Sequence, residues 1–213
     1  MRRRKVGNLL ALAVLSYLSQ RPMHPYELSR TLRDHGDDRS IRFTHGTLYM
    51  VVEQLARAGF VVAKESVRDT GRPERTVYAI TEAGRRELTD WLRELVEEPQ
   101  HEYPPFVAAL SLIGALRPAE AVRLLRHRLD RLADRKADIQ HHIDQPSAAG
   151  VHPLFLIEED FRLALVDAEV AFCRRLIDRI TDPETGWSFA WDHVHDHTAP
   201  AQPADADPHS KEH

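Results

Sequence analysis

Apolar positions in the first third of the chain recur at helical spacing and then change to the spacing of strands. Val6, Leu9, Leu10, Ala13, Val14, Tyr17 and Leu18 fall three and four residues apart, with Leu12 and Leu15 widening the face, and predict a buried helix over 6–18. Pro25 suits the first turn of a second helix, because its missing N–H would have had no partner there. That helix is predicted to run from Tyr26 to His35 and to stop at Gly36. Ser40 to Phe43 predicts a short extended rung, and Thr44 an N-cap for a third helix through Ala58, with Gly59 as its stop. From Phe60 to Arg68 the chain turns β-branched, Asp69 to Pro73 has the composition of a turn, and Glu74 to Ile80 returns as a second strand. Thr81 then opens a fourth helix with Ala83, Leu88, Trp91, Leu92 and Leu95 inward. Three helices, a hairpin and a helix make a winged helix-turn-helix.

The rest of the chain is patterned differently. Glu98 to Pro105 is polar and proline-broken, as a linker is. Phe106 to Leu116 predicts a short apolar helix, Pro118 to about Asp144 a long one, Pro146 to His152 a break, and Pro153 to about Thr181 a last helix. In the long helix Val122, Leu125, Leu129, Leu132, Lys136, Ile139 and Ile143 form a heptad seam with Lys136 the exception. Ile157, Phe161, Leu165, Ala168, Phe172, Leu176 and Ile180 make a comparable face on the last helix. The two faces can pack within one chain, and the apolar flanks that remain call for a second copy. Leu125, Leu129, Leu132, Ile157, Phe161, Leu165, Phe172 and Leu176 are therefore the expected dimerisation residues. The fold class expected is mainly α with a small β-hairpin wing. It divides into a DNA-binding domain over 1–97, a linker over 98–105, a helical dimerisation or effector domain over 106–181, and a polar tail over 182–213 with the composition of disorder.

Charge separates the same two parts. Up to Leu95 there are 17 Lys and Arg against 12 Asp and Glu, net +5, and the remainder carries 12 against 21, net −9. A basic first part suits an anionic partner such as nucleic acid. Arg2 to Lys5 followed by an apolar stretch has the look of a secretory signal. It lacks a small-residue cleavage site, however, and 13 apolar-rich residues from Val6 to Leu18 fall short of the roughly 20 that span a bilayer. A cytoplasmic, nucleoid-associated protein without membrane contact is the expectation, and the single Cys among 213 residues excludes a disulfide framework.

In a winged helix the third helix enters the major groove and the hairpin tip lies beside the phosphates. Arg42, Thr44, His45, Thr47 and Tyr49 on the recognition helix, Tyr26 on the second helix, and Arg68, Arg72 and Arg75 at the wing are the expected DNA-binding residues. His45 and Thr47 are assigned to bases, and the tyrosines and wing arginines to phosphates. Four ordered stretches, Pro22 to Leu28, Gly46 to Tyr49 with Leu55 and Gly59-Phe60, Gly71 to Tyr78, and Thr81 to Gly84, resemble the PadR family of bacterial transcriptional regulators. The family commonly has Gly at the position of Pro25 and Ser-Pro at Thr44-His45. The remaining chain resembles larger members with a virulence-activator-type helical C-terminal domain. The resemblance implies a homodimer on a near-palindromic double-stranded operator, repression, and control by a small aromatic or drug-like effector.

Other chemistry is sparse. His193, His195 and His197 alternate in a tail where adventitious metal binding is the ordinary outcome, and a metal-responsive regulator is the lesser alternative. His141 and His142 are adjacent on a helix and point apart. Cys173, flanked by Arg174 and Arg175, reads as core, and no phosphate loop or nucleophile elbow is present, so no enzyme activity, cofactor or metal is expected. Trp91, Phe106 and Phe155 are the expected lining of an effector cavity, while Trp187, Phe189 and Trp191 argue against complete disorder beyond the last helix. A winged helix serving as a protein-interaction scaffold is the rival reading.

Overall fold

A computed structural model describes residues 4–64, 76–188 and 190–192. The chain divides into two compact units, residues 1–102 and 103–213.

In the first unit α1 spans Leu9–Gln20, α2 Pro25–Asp34, α3 His45–Arg57 and α4 Glu82–Glu97, and strands β1 (Val61–Lys64) and β2 (Val77–Ile80) form an antiparallel hairpin pairing Val61 with Ile80 and Lys64 with Val77. The first helix starts later than its apolar pattern, because the Asn8 side chain accepts the Leu10 N–H at 2.9 Å and caps the helix there; Val6 is buried outside it. Leu10, Val14, Leu28, Leu48, Val52 and Trp91 meet in one core. The described part of each strand has four residues, and 65–75, the rest of the expected hairpin, lie outside the described residues. The rung predicted over Ser40–Phe43 is not a strand. A 3₁₀ turn at Asp37–Arg39 precedes it, and Ile41 and Phe43 pack sideways on the core. The extra rung is Met23, whose N–H donates to Tyr78 O at 3.0 Å while Tyr78 N–H donates to Met23 O at 2.9 Å.

Thr81 and Gly84 fix α4 against the hairpin. The Thr81 hydroxyl donates to Gly59 O at 2.8 Å and Oγ1 accepts the Gly84 N–H at 3.1 Å. A Cβ on Gly84 would stand 2.1 Å from Phe60 O, so only glycine permits the approach.

The second unit contains α5 (Pro105–Ser111), α6 (Pro118–Ala148) and α7 (Ile157–Thr181), with a 3₁₀ turn at Pro153–Leu156. The long helix runs through Pro146 instead of breaking there. The ring deprives His142 O of the N–H it would otherwise accept, and the stop is made by Gly150 at φ 84, with Gly150 N–H on Ser147 O and Val151 N–H on Pro146 O. The heptad seam faces α7 within the chain: Val122, Leu125, Leu132 and Ile139 are buried and Leu129 is half-buried. Leu125 and Leu132 are thus taken up by packing within the chain, with Leu129 partly buried beside them. Lys136, the break in the seam, ion-pairs with Asp167 of α7 at 2.6 Å.

The face of α7 turned to α6 is also different from the one predicted. Val166, Cys173 and Ile177 are buried, as is Ile180 of the predicted face, whereas Phe161 is 64% exposed and Ile157, Leu165 and Phe172 are exposed beside it; Leu176 is half-buried. The helix carries two apolar stripes at helical spacing, and α6 takes the one containing Cys173.

Candidate nucleic-acid interface

The start of α3 is closed by a reciprocal cap. Thr47 N–H donates to Thr44 Oγ1 at 3.2 Å, and Thr44 N–H donates to Thr47 Oγ1 at 2.8 Å. The Thr47 hydroxyl also donates to Thr44 O at 2.9 Å, so the hydroxyl expected to read a base is engaged in the helix cap and its methyl group is what it has to offer. The amides of His45 and Gly46 belong to the first turn, where a helix has no internal acceptor for them. A Cβ on Gly46 would meet nothing nearer than 4.0 Å, which leaves bare backbone on this face.

Three rings cluster at that end with a fourth beside them. His45 lies 4.9 Å from Tyr49 and 6.0 Å from Tyr26, centroid to centroid, and His24 lies 6.3 Å from Tyr49. Two helix starts therefore converge. His24 Nδ1 caps α2 by accepting the Tyr26 N–H at 3.0 Å, which fixes the backbone from which the Tyr26 ring projects. Tyr26 is exposed, Tyr49 half-buried, and Arg42 exposed without an ion pair among the described residues. Arg68, Arg72 and Arg75 lie outside the described residues.

Sequence reasoning missed His24, Gly46 and Met50. The signal for the last two was available, since Leu48, Val51, Val52 and Leu55 are buried and leave Gly46, Met50 and Glu53 on the open side of α3. Tyr17 ties α1 to the turn before α3: its hydroxyl donates to Asp37 at 2.5 Å and meets His35 Nδ1 at 3.0 Å. Burial first, and Asp37 second, push its phenol above the ordinary tyrosine value, so it stays a neutral donor.

The three aromatics expected to line an effector cavity have different surroundings within their own units. Trp91 is filled core of the first unit; Phe106 of α5 packs edge-on to Phe172 at 6.4 Å under the Arg128 guanidinium at 3.6 Å; Phe155 is exposed on the turn before α7. Roughly 22 Å of helix separates Ile157 from Phe172. Cys173 is buried, and desolvation raises its thiol pKa, the opposite of an activated nucleophile. Among the described residues no group of three or more His, Cys, Asp or Glu could hold a metal ion, and no helix is long and apolar enough to cross a membrane. The His193 to His197 tract and Phe189 lie outside those residues.

Comparison with known proteins places the winged unit. Residues 14–90 match the Transcriptional regulator PadR-like family. The chain is 24% identical over 159 residues to the negative transcriptional regulator PadR of Bacillus subtilis, covering 74% of this chain and 85% of that one. It is 35% identical over 86 residues to the probable transcriptional regulator Rv1176c of Mycobacterium tuberculosis, covering 38% of this chain and 42% of the relative. Among solved structures, Bacillus subtilis PadR in complex with operator DNA superposes with a TM-score of 0.63 at 20% identity, covering 80% of this chain and 98% of that one. The same protein in complex with p-coumaric acid gives 0.65 at 17% identity, covering 84% and 97%. The chain therefore carries, over residues 14–90, a domain of the transcriptional regulator PadR-like family.

Proposed function

We propose that this protein is a sequence-specific transcriptional regulator that binds double-stranded operator DNA as a homodimer and represses until a small effector releases it. The observation that carries the reading is the open start of α3, where His45, Gly46, Tyr49 and Tyr26 converge on one surface of a PadR-like domain. His45 and the Thr47 methyl suit base edges, since a methyl group pairs with the thymine methyl in the major groove. Tyr26, Tyr49, Arg42, Arg68, Arg72 and Arg75 suit phosphates, and Thr44 holds the cap.

The exposed stripe of Ile157, Phe161, Leu165 and Phe172 is the surface that favours a second copy, because an apolar row of this length on a free monomer would face water. Two copies related by a two-fold axis would read half-sites about one helical turn apart. The relatives' complexes with operator DNA and with p-coumaric acid support repression under effector control.

The test is retardation of the protein's own promoter fragment across a salt series. Six to ten phosphate contacts predict a loss of about 10³ to 10⁵ in affinity between 50 and 200 mM salt. A flat response, or no retardation at all, would favour the protein-interaction scaffold.

A further inference from the structure

Among the described residues two glycines lie inside α-helices, Gly84 in α4 and Gly46 in α3. Glycine weakens a helix relative to alanine, so each calls for a reason. For Gly84 the reason is internal, because a Cβ there would run into Phe60 O. Gly46 has no such reason within the chain. A Cβ on it would meet only Thr44 Oγ1, at 4.0 Å, and its φ is not in the left-handed region that favours glycine. The residue is exposed, so the body that would collide with a side chain at this position lies outside the protein.

Met50 and Glu53 follow Gly46 at helical spacing, and the three share the side of α3 opposite the buried Leu48, Val51, Val52 and Leu55. Met50 is 55% exposed, a large apolar side chain standing in water on the recognition helix. Neither Met50 nor Glu53 suits a phosphate: a thioether has no hydrogen to donate, and a carboxylate is repelled by the charge of the backbone. Base edges suit both. In the major groove a thymine C5-methyl gives Met50 an apolar partner, and a cytosine amino group gives Glu53 a donor.

We propose that Met50 sets operator preference by packing on a thymine C5-methyl, and that Gly46 is the clearance that lets the first turn of α3 come close enough for it to do so. The inference rests on the operator-binding reading above. To that reading it adds one residue that selects a base and one that sets the depth of approach. A glycine that costs the free helix stability and gives room only to a partner is the signature of such a position.

The experiment footprints the full-length protein on its own promoter fragment and then replaces each thymine of the footprint, one at a time, by deoxyuridine, which lacks only the C5-methyl. The wild type is expected to lose about fourfold in affinity at one thymine of each half-site, the share of one buried methyl. Met50→Ala should bind the thymine and uridine duplexes alike at that position, while a methyl effect that belongs to Thr47 persists elsewhere. Gly46→Ala should melt no lower than the wild type, since alanine is the better helix former and nothing in the chain crowds its Cβ. It should nonetheless bind every duplex at least roughly tenfold more weakly, because the added methyl holds the helix off the bases. An unchanged pattern of methyl dependence in Met50→Ala would overturn the base assignment. Operator binding as tight as the wild type's in Gly46→Ala, or a lowered melting temperature, would overturn the clearance. A promoter fragment with no footprint would remove the operator-binding reading and this inference with it, whereas a footprint without a methyl-sensitive thymine removes the inference alone.

Discussion

The Arg4 guanidinium lies 5.0 Å from the centroid of the Trp91 ring, donates to Glu87 at 2.7 Å and also reaches Glu94. Its side chain is only 5% exposed, so a residue of the basic N-terminal run serves as an internal strut between the start of the chain and α4. Replacing Arg4 by Ala leaves two carboxylates on α4 without their shared cation, and should cost about 3–5 kcal/mol, the scale for breaking a buried pair from one side. Arg4→Met, which keeps the stem over the indole, should cost less. Urea unfolding followed by circular dichroism measures both, and a loss below about 1 kcal/mol for Ala would mean the carboxylates are solvated as soon as the arginine goes.

Thr47 divides into two functions that two substitutions separate. Thr47→Val keeps a methyl for base contact but loses the cap, and should cost about 1 kcal/mol of stability with operator preference retained. Thr47→Ser keeps the hydroxyl and should retain stability while flattening preference at one operator position. Thermal melts and binding to a set of singly substituted operators give the two readouts; the reverse pattern would return the hydroxyl to base reading.

Phe161 is exposed in the single chain, so Phe161→Asp should leave the fold intact and act on assembly. Sedimentation at micromolar concentration is expected to show monomers. Leu132→Ala, in the seam against α7, should instead cost about 2–5 kcal/mol of stability through a cavity. A dimer that survives Phe161→Asp would place the interface elsewhere.

Cys173 has no exposed surface, and burial raises its thiol pKa in the folded state. A raised folded value favours the protonated form, so its contribution is complete below the usual thiol pKa of about 8.5 and declines as pH rises through the folded value. The native protein should resist a disulfide exchange reagent at about pH 8 and react at once in urea; prompt reaction of the native state would show that the α6–α7 pair opens readily.

Order and type of the elements were legible because each carries its own local signal: Pro25 in a first turn, Thr44 and Thr81 as caps, Gly36 and Gly59 at positive φ. What could not be read depends on partners distant in sequence. Ser40 to Phe43 has extended character, yet Met23 takes the place beside Tyr78. On α7, Ile157, Phe161 and Leu165 recur as regularly as Val166, Cys173 and Ile177, and only α6 decides between the stripes. At the candidate interface the ring-bearing residues were visible as types, but the closed cap that occupies the Thr47 hydroxyl arises from two torsions no pattern records. Beyond α7, Asp182 accepts the N–H groups of Glu184 and Thr185 and Trp187 N–H donates to Arg179 O, a return that no periodicity announces.

The paired bonds between Met23 and Tyr78 join the residue just ahead of α2 to the second strand of the wing. Each amide can exchange its hydrogen with solvent only when the other's bond is also strained, because both bonds close one ring. The two sites should therefore lose protection together, at a single opening rate, and a wing that frays independently of the helices would reveal itself as a fast Tyr78 beside a slow Met23.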